Sequence, residues 1–181
     1  MPAPTFGRIL IDAERLDRTC NAYFKWKDLN TYISDNSHRG INMPDAISEP
    51  LGCFCLGLQW NRGSEAGDAT DPKTGKKIEF KATSRFEGDL SSFGPDCSFD
   101  NLVFLRFNLE QDLLYVYDLG INSLDFGSYP ANKTETIDDQ KRQGRRPHVS
   151  LQTLFVDAKH LNPTVVFDIR RQRITVDNRG R

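Results

Sequence analysis

The chain has 181 residues, enough to bury a sizeable core within one domain. Hydrophobic residues are 38% and charged residues 27%, and no apolar run approaches the roughly 20 residues of a membrane helix, which points to a soluble globular protein and away from a disordered or membrane-spanning one. The net charge of −1 hides a split: residues 1–140 hold 14 Lys+Arg against 22 Asp+Glu (net −8), and residues 141–181 hold 10 against 3 (net +7), a basic end that suits either a polyanion partner or a plain solvated surface.

The opening stretch, MPAPTFGRILIDAERL, lacks the basic and apolar regions of a secretory signal, so a cytoplasmic protein is expected. In that setting Cys20, Cys53, Cys55 and Cys97 are expected as free thiols; Cys53 and Cys55 form a lone C-x-C with no second pair at zinc spacing. Residues 8 to about 34 are predicted as one helix, because Ile9, Ala13, Leu16, Cys20, Phe24 and Leu29 recur near the 3.6 period. After a turn at residues 36–40, a second helix is predicted from Asn42, with Pro44 in its first turn, Ile47, Leu51 and Phe54 facing the core, and Glu49 on another face. Pro50 leaves its start open, since proline is tolerated only early in a helix. NRGSEAGD reads as a loop. A hairpin follows, with strands at residues 68–71 and 76–83 and a turn at 72–75. Residues 102–109 and 113–120 are predicted as two apolar strands, the first so continuously apolar that both its faces must be covered. TETIDDQKRQG reads as a short helix or loop, HVSLQTLFVDAKHL as a helix ended by Asn162-Pro163, and TVVFDI and RITV as late strands. The sum is an α/β layered domain with a mixed sheet.

The hairpin carries the chemistry. Period two places Glu79 and Lys81 on one face and Ile78 and Phe80 on the other. A Glu-x-Lys strand is commonly no more than the wet side of a sheet. Here, however, Asp68 follows a glycine at the start of the neighbouring strand, and a tight hairpin brings it toward Glu79. Two adjacent carboxylates repel, and one pKa rises, unless a cation sits between them. Hard carboxylate oxygens suit Mg²⁺, which binds through one or two of them plus phosphate and water. An ammonium one pleat on, Lys81, can orient a metal-bound water or stabilise charge on a phosphate. Thr83, Ser84 and Arg85 follow, all of types that contact phosphate.

Asp68 followed by Glu79-Phe80-Lys81 resembles the PD-(D/E)XK motif of the restriction-endonuclease-like nucleases, with Gly67 where that family places proline. The resemblance implies a three-layer α/β core with a central mixed β-sheet flanked by helices. It implies Mg²⁺ held by Asp68 and Glu79, with Mn²⁺ able to substitute, and Lys81 assisting the attacking water. Glu49, on the preceding helix, corresponds either to the further metal-binding glutamate of many members or to an ordinary surface residue. SSFGPDCSFDNLVFLRF and DDQKRQGRRPHVSL resemble segments of small type II restriction enzymes, in particular a group that cuts GCNGC; the likeness spans roughly residues 40–155. The implied activity is hydrolysis of double-stranded DNA at a short specific site, leaving 5′-phosphate ends, by a homodimer with one active site per strand. A structure-specific repair or recombination nuclease of the same fold and a catalytically silent DNA-binding module are the alternatives.

In KRQGRR, Lys141, Arg142, Arg145 and Arg146 surround Gln143 and Gly144. Arginine forks match phosphate oxygens or guanine O6 and N7, and glutamine can read adenine. His148 adds either a contact or a structural histidine. The segment is thus a candidate DNA-binding element within a single domain of residues 1–181; its alternative is a solubilising loop.

Overall fold

The computed structural model describes residues 7–37, 39–63 and 67–180. Residues 1–6 of the opening stretch, residue 38 of the predicted turn and residues 64–66 of the predicted loop lie outside them.

The N-terminal helix begins later than its apolar spacing suggests. Gly7–Leu10 form strand β1, with alternating exposure, and α1 spans Ala13–Asn36. Asp12 starts the helix: its backbone is extended, and its carboxylate accepts a hydrogen bond from Arg15 N at 2.8 Å. The second helix, α2 (Asp45–Leu56), starts after Pro44 rather than at Asn42, and Pro44 offers no side-chain cap. Pro50 lies within its second turn, where it removes one intrahelical hydrogen bond. Gly57 ends α2 at φ 69°, donating back to the carbonyls of Cys53 and Phe54.

The rest of the chain builds sheets and short helices. The strands are β2 (Gln59–Arg62), β3 (Ala69–Thr70), β4 (Lys77–Thr83), β5 (Ser91–Ser92), β6 (Asn101–Asn108), β7 (Leu113–Asp118), β8 (His148–Val149), β9 (Val165–Asp168) and β10 (Arg173–Asp177). Helices α3 (Ser123–Gly127) and α4 (Ile137–Arg142) follow β7. The helix predicted over residues 148–161 is not formed as such. His148 and Val149 pair with β5 instead, and Gln152–Asp157 is a single π-helical segment. Asp89 enforces this by accepting from Leu151 N and Gln152 N at 3.0 and 2.9 Å.

Eight strands form one mixed sheet in the order β1-β2-β3-β4-β6-β7-β9-β10. The β4–β6 pair is parallel and the remaining ladders are antiparallel. One core lies beneath α1 and α2, where Tyr23, Ile47 and Leu51 meet Ile78, Phe80, Leu105 and Phe107. A second core covers the other face with Phe93, Phe126, Ile137 and Phe155 against Leu102 and Phe104. Helices on both faces give the three-layer α/β arrangement. The continuous apolar run of β6 is thereby explained: Leu102 and Phe104 enter one core, Val103, Leu105 and Phe107 the other. Among the described residues no helix is long and apolar enough to cross a membrane, and the four cysteines are free.

Candidate active site

Asp68 sits just ahead of β3, and backbone bonds on both sides fix it. Its N–H donates to Ile78 O at 2.9 Å, and its carbonyl accepts from Asn61 N at 2.9 Å. Gly67 reaches this position with φ +82°, and a Cβ there would come within 3.2 Å of Ile78 O. Proline, locked near φ −65°, cannot adopt it, so glycine at this point is a consequence of the local backbone. The Asp68 carboxylate accepts from Phe80 N at 2.7 Å, which ties it to β4 next to Glu79.

On β4 the predicted alternation holds. Ile78 and Phe80 are buried under α2, while Glu79 and Lys81 turn to the opposite face. Lys81 Nζ donates to Glu79 Oε1 at 2.6 Å, with both side chains largely buried, and lies 5.0 Å from the centre of the Phe93 ring. From α2, Glu49 Oε2 accepts from Trp60 Nε1 at 2.7 Å. Burial and then the charge of Asp68 push the Glu49 carboxyl up to about 8. Burial and then Glu79 push Asp68 up to about 6. Burial works against the Lys81 ammonium, but Glu79 overcomes it and Lys81 holds its proton more tightly than usual.

The structure therefore brings Asp68, Glu79, Lys81 and Glu49 into one electrostatically coupled group. Glu49 and Asp68 line a cleft of about 340 Å³ together with Asp45, Trp60, Asn61 and Arg62. Asp45 also borders a second cleft, of about 440 Å³, lined by Lys81, Thr83, Ser84, Arg85 and Leu90. Thr83, Ser84 and Arg85 thus stand beside Lys81, as their place in the sequence suggested.

The basic segment is placed less uniformly. Lys141 Nζ donates to Cys97 O at 3.0 Å, and the Cys97 thiol, raised to about 11 by burial and then by Glu79, adjoins the Glu79–Lys81 pair. One end of the segment therefore reaches the carboxylate group. Arg142 pairs with Asp139 at 3.1 Å, and Arg145 and Gln143 both engage Glu135. Gly144, at φ +71°, makes the turn between them. Arg146 is exposed beside Gly94, and His148 is exposed on β8 opposite Ser92.

Sequence reasoning missed Asp45, Trp60 and Cys97. Trp60 escaped because no strand is expected there: Gln59 and Trp60 fall in no predicted element, and Asn61 and Arg62 of β2 read as loop. Among the described residues, no group of three or more His, Cys, Asp or Glu is arranged to grip a metal ion. The donor set that remains is the Asp68–Glu79 pair. It fits a hard divalent cation of the Mg²⁺ kind, which needs only one or two carboxylates and completes its shell with water and phosphate. The upward pull of Glu79 on Asp68 is the mark of crowded negative charge that such a cation relieves.

No solved structure matches the chain significantly. The type II restriction enzyme Bsp6I of Bacillus sp. (strain RFL6) is 45% identical over 166 residues, covering 92% of this chain and 95% of that protein. The model of the Bsp6I restriction endonuclease family matches residues 11–158. With most of its length matched on both counts, the chain belongs to the Bsp6I restriction endonuclease family.

Proposed function

We propose that this chain is a Mg²⁺-dependent type II restriction endonuclease of the PD-(D/E)XK kind, with Asp68, Glu79 and Lys81 as its catalytic set. Family membership and the kinship to Bsp6I make it a site-specific deoxyribonuclease. The observation that carries the finer reading is the largely buried Asp68–Glu79–Lys81 group, with Asp68 lining one cleft and Lys81 the neighbouring one.

Asp68 and Glu79 would hold the cation, with Mn²⁺ able to substitute, and Glu49, held by Trp60, would reach it only through a coordinated water. Bound there, the cation supplies Lewis-acid polarisation of a phosphate and lowers the pKa of a coordinated water. Lys81 stays protonated beside Glu79, so it acts as a donor: it orients the attacking water and stabilises the charge that develops on the phosphate. Its stacking on Phe93 and its bond to Glu79 keep it from swinging into solvent. Water adds to phosphorus and loses a proton to solvent, the P–O3′ bond breaks, and the 3′ oxygen takes up a proton from solvent, leaving a 5′-phosphate and a 3′-hydroxyl.

Thr83, Ser84 and Arg85 would contact the DNA backbone at the Lys81 cleft. The basic part, beginning at Lys141 and including Arg142, Gln143, Arg145, Arg146 and His148, would hold the duplex from the other core's side. The whole acts as one nuclease domain over residues 1–181, in the cytoplasm, where free thiols stay reduced. Cutting both strands of a symmetric site calls for a homodimer, and the site proposed from the resemblance is GCNGC.

The test is Lys81→Ala. Cleavage should fall by about a hundredfold to a thousandfold, the scale for removing one charge-stabilising donor, while duplex affinity in the absence of divalent metal is unchanged. Cleavage at the wild-type rate would refute the assignment.

A further inference from the structure

The cleft at Glu49 and Asp68 does not end at the carboxylates. It shares Ala46, Trp60 and Arg62 with a third cleft, of about 310 Å³, that runs along α1 and is lined by Arg15 and Arg18. Trp60 is the common wall. Its indole N–H donates to Glu49 Oε2 at 2.7 Å, and the Arg62 guanidinium lies 5.7 Å from its ring centre. The three clefts adjoin in series: Arg15, Arg18 and Arg62 at one end, Glu49 and Asp68 in the middle, and, across the shared wall of Asp45, Lys81 with Thr83–Arg85.

The arginines at the far end are weakly engaged. Arg15 and Arg18 are three residues apart and share a face of α1. Arg15 Nε is shielded from solvent and has no hydrogen-bond partner. Arg18 meets Glu14 at 3.9 Å, with both side chains close to 80% exposed, a contact too wet to hold either in place. Asp12 and Glu14 also line the cleft, but the Asp12 carboxylate is occupied as the cap of α1 and Glu14 stands out in solvent. A plain solvated helix face would account for Arg18 alone. It does not account for a buried guanidinium nitrogen without a partner in a cleft continuous with the carboxylates. Guanidinium forks match the spacing of phosphate oxygens, and stacking on an aromatic ring holds such a fork in a fixed orientation.

We propose that Arg15, Arg18 and Arg62 bind backbone phosphates of the DNA duplex beyond Asp68, so that the duplex is held on both sides of the reacting phosphodiester. This rests on the nuclease reading above and adds a contact surface in the part of the chain whose net charge is acidic. Phosphate contacts of this kind are independent of sequence and show in the salt dependence of binding.

The experiment measures binding of a fluorescent mixed-sequence DNA duplex by anisotropy in EDTA, from about 50 to 200 mM salt, for wild type, the double variant Arg18→Ala/Arg62→Ala, and the double Arg→Lys variant. Each lost phosphate contact should flatten the log–log salt slope by about 0.9, so the double alanine variant loses about 1.8 while the lysine variant keeps the wild-type slope. A melting curve matching wild type confirms the fold. If Arg62→Ala does not fold, the exposed Arg18→Ala alone should lose about 0.9. An unchanged slope overturns this surface while leaving the role of Lys81 standing. Absence of salt-dependent duplex binding by the wild type overturns both.

Discussion

Asp68 and Glu49 are buried carboxyls crowded by neighbouring carboxylates. Both hold their protons more tightly in the fold than carboxyls in an open chain, Asp68 to about 6 and Glu49 to about 8, first because they are buried and then because neighbouring carboxylates repel. The folded protein thus binds these protons better than the unfolded chain does. Without a divalent cation, stability contributed here is greatest in mild acid and falls as pH rises from about 4.5 toward 8. A cation binds the ionised forms, so it should stabilise the fold more as pH rises. The increase in melting temperature on adding Mg²⁺ is expected to be small near pH 5.5 and larger near pH 8. Asp68→Asn should remove most of it; an increment that does not change with pH, or that survives in Asp68→Asn, would contradict this account. Asp68, Glu79 and Lys81 were legible in the sequence because a local hairpin brings them together: only short-range turn geometry and the two-residue strand period were needed. Trp60, Asp45 and the α1 arginines were not legible, because their proximity to the carboxylates depends on how α2 and α1 pack onto the sheet.

Another buried carboxylate ties α1 to two turns of the sheet. Asp112, in the β6–β7 turn, accepts from Tyr23 Oη at 3.1 Å and Lys27 Nζ at 2.6 Å on α1, and from Arg170 at 2.6 Å in the β9–β10 turn. Burial alone would raise its pKa, but the bonds from Lys27 and Arg170 lower it below the ordinary range. A depressed carboxylate stabilises the fold above its unfolded pKa and loses that contribution as pH falls. Asp112→Asn keeps a residue that tolerates φ +55° but removes the charge. It should cost about 2 kcal/mol near neutral pH, the scale of lost charge-assisted hydrogen bonds, measured by urea unfolding, with a difference that shrinks below about pH 4. An equal loss at all pH values would point to packing instead. At the same level of structure, the sequence was informative where spacing is local and misleading where pairing is remote. The β4 alternation and the doubly covered β6 followed from period and run length. β1 was taken into a helix because Ile9 also fits the 3.6 period; its pairing with β2, fifty residues on, decides otherwise. Residues 148–161 carry a helical pattern, but β5 captures His148 and Val149, and Asp89 takes the next backbone donors. The basic segment is partly spoken for by Glu135 and Asp139, so its contribution depends on which cations remain free to turn toward DNA. Arg145→Ala/Arg146→Ala should lower the salt slope of duplex binding by up to about 1.8; an unchanged slope would assign the segment to solubility.

Across the molecule, charge is divided between two jobs. The acidic majority of residues 1–140 includes the carboxylates of the candidate site, and on the proposed reading the +7 of residues 141–181 would supply attraction for DNA. The two meet where Lys141 reaches Cys97 beside Glu79 and Lys81. A sheet covered on both faces gives this meeting point a rigid floor, so that the group on β4 is held by both cores rather than by a loop. As proposed, this arrangement would cut DNA at one short sequence with a divalent cation. The most direct measurement is a digest of a long mixed-sequence DNA with Mg²⁺ and with EDTA, followed by sequencing of the fragment ends. Discrete fragments in Mg²⁺, none in EDTA, and 5′-phosphate ends sharing one short motif are the predicted result. A smear without a common motif, cutting that persists in EDTA, or no cutting with either Mg²⁺ or Mn²⁺ would contradict it.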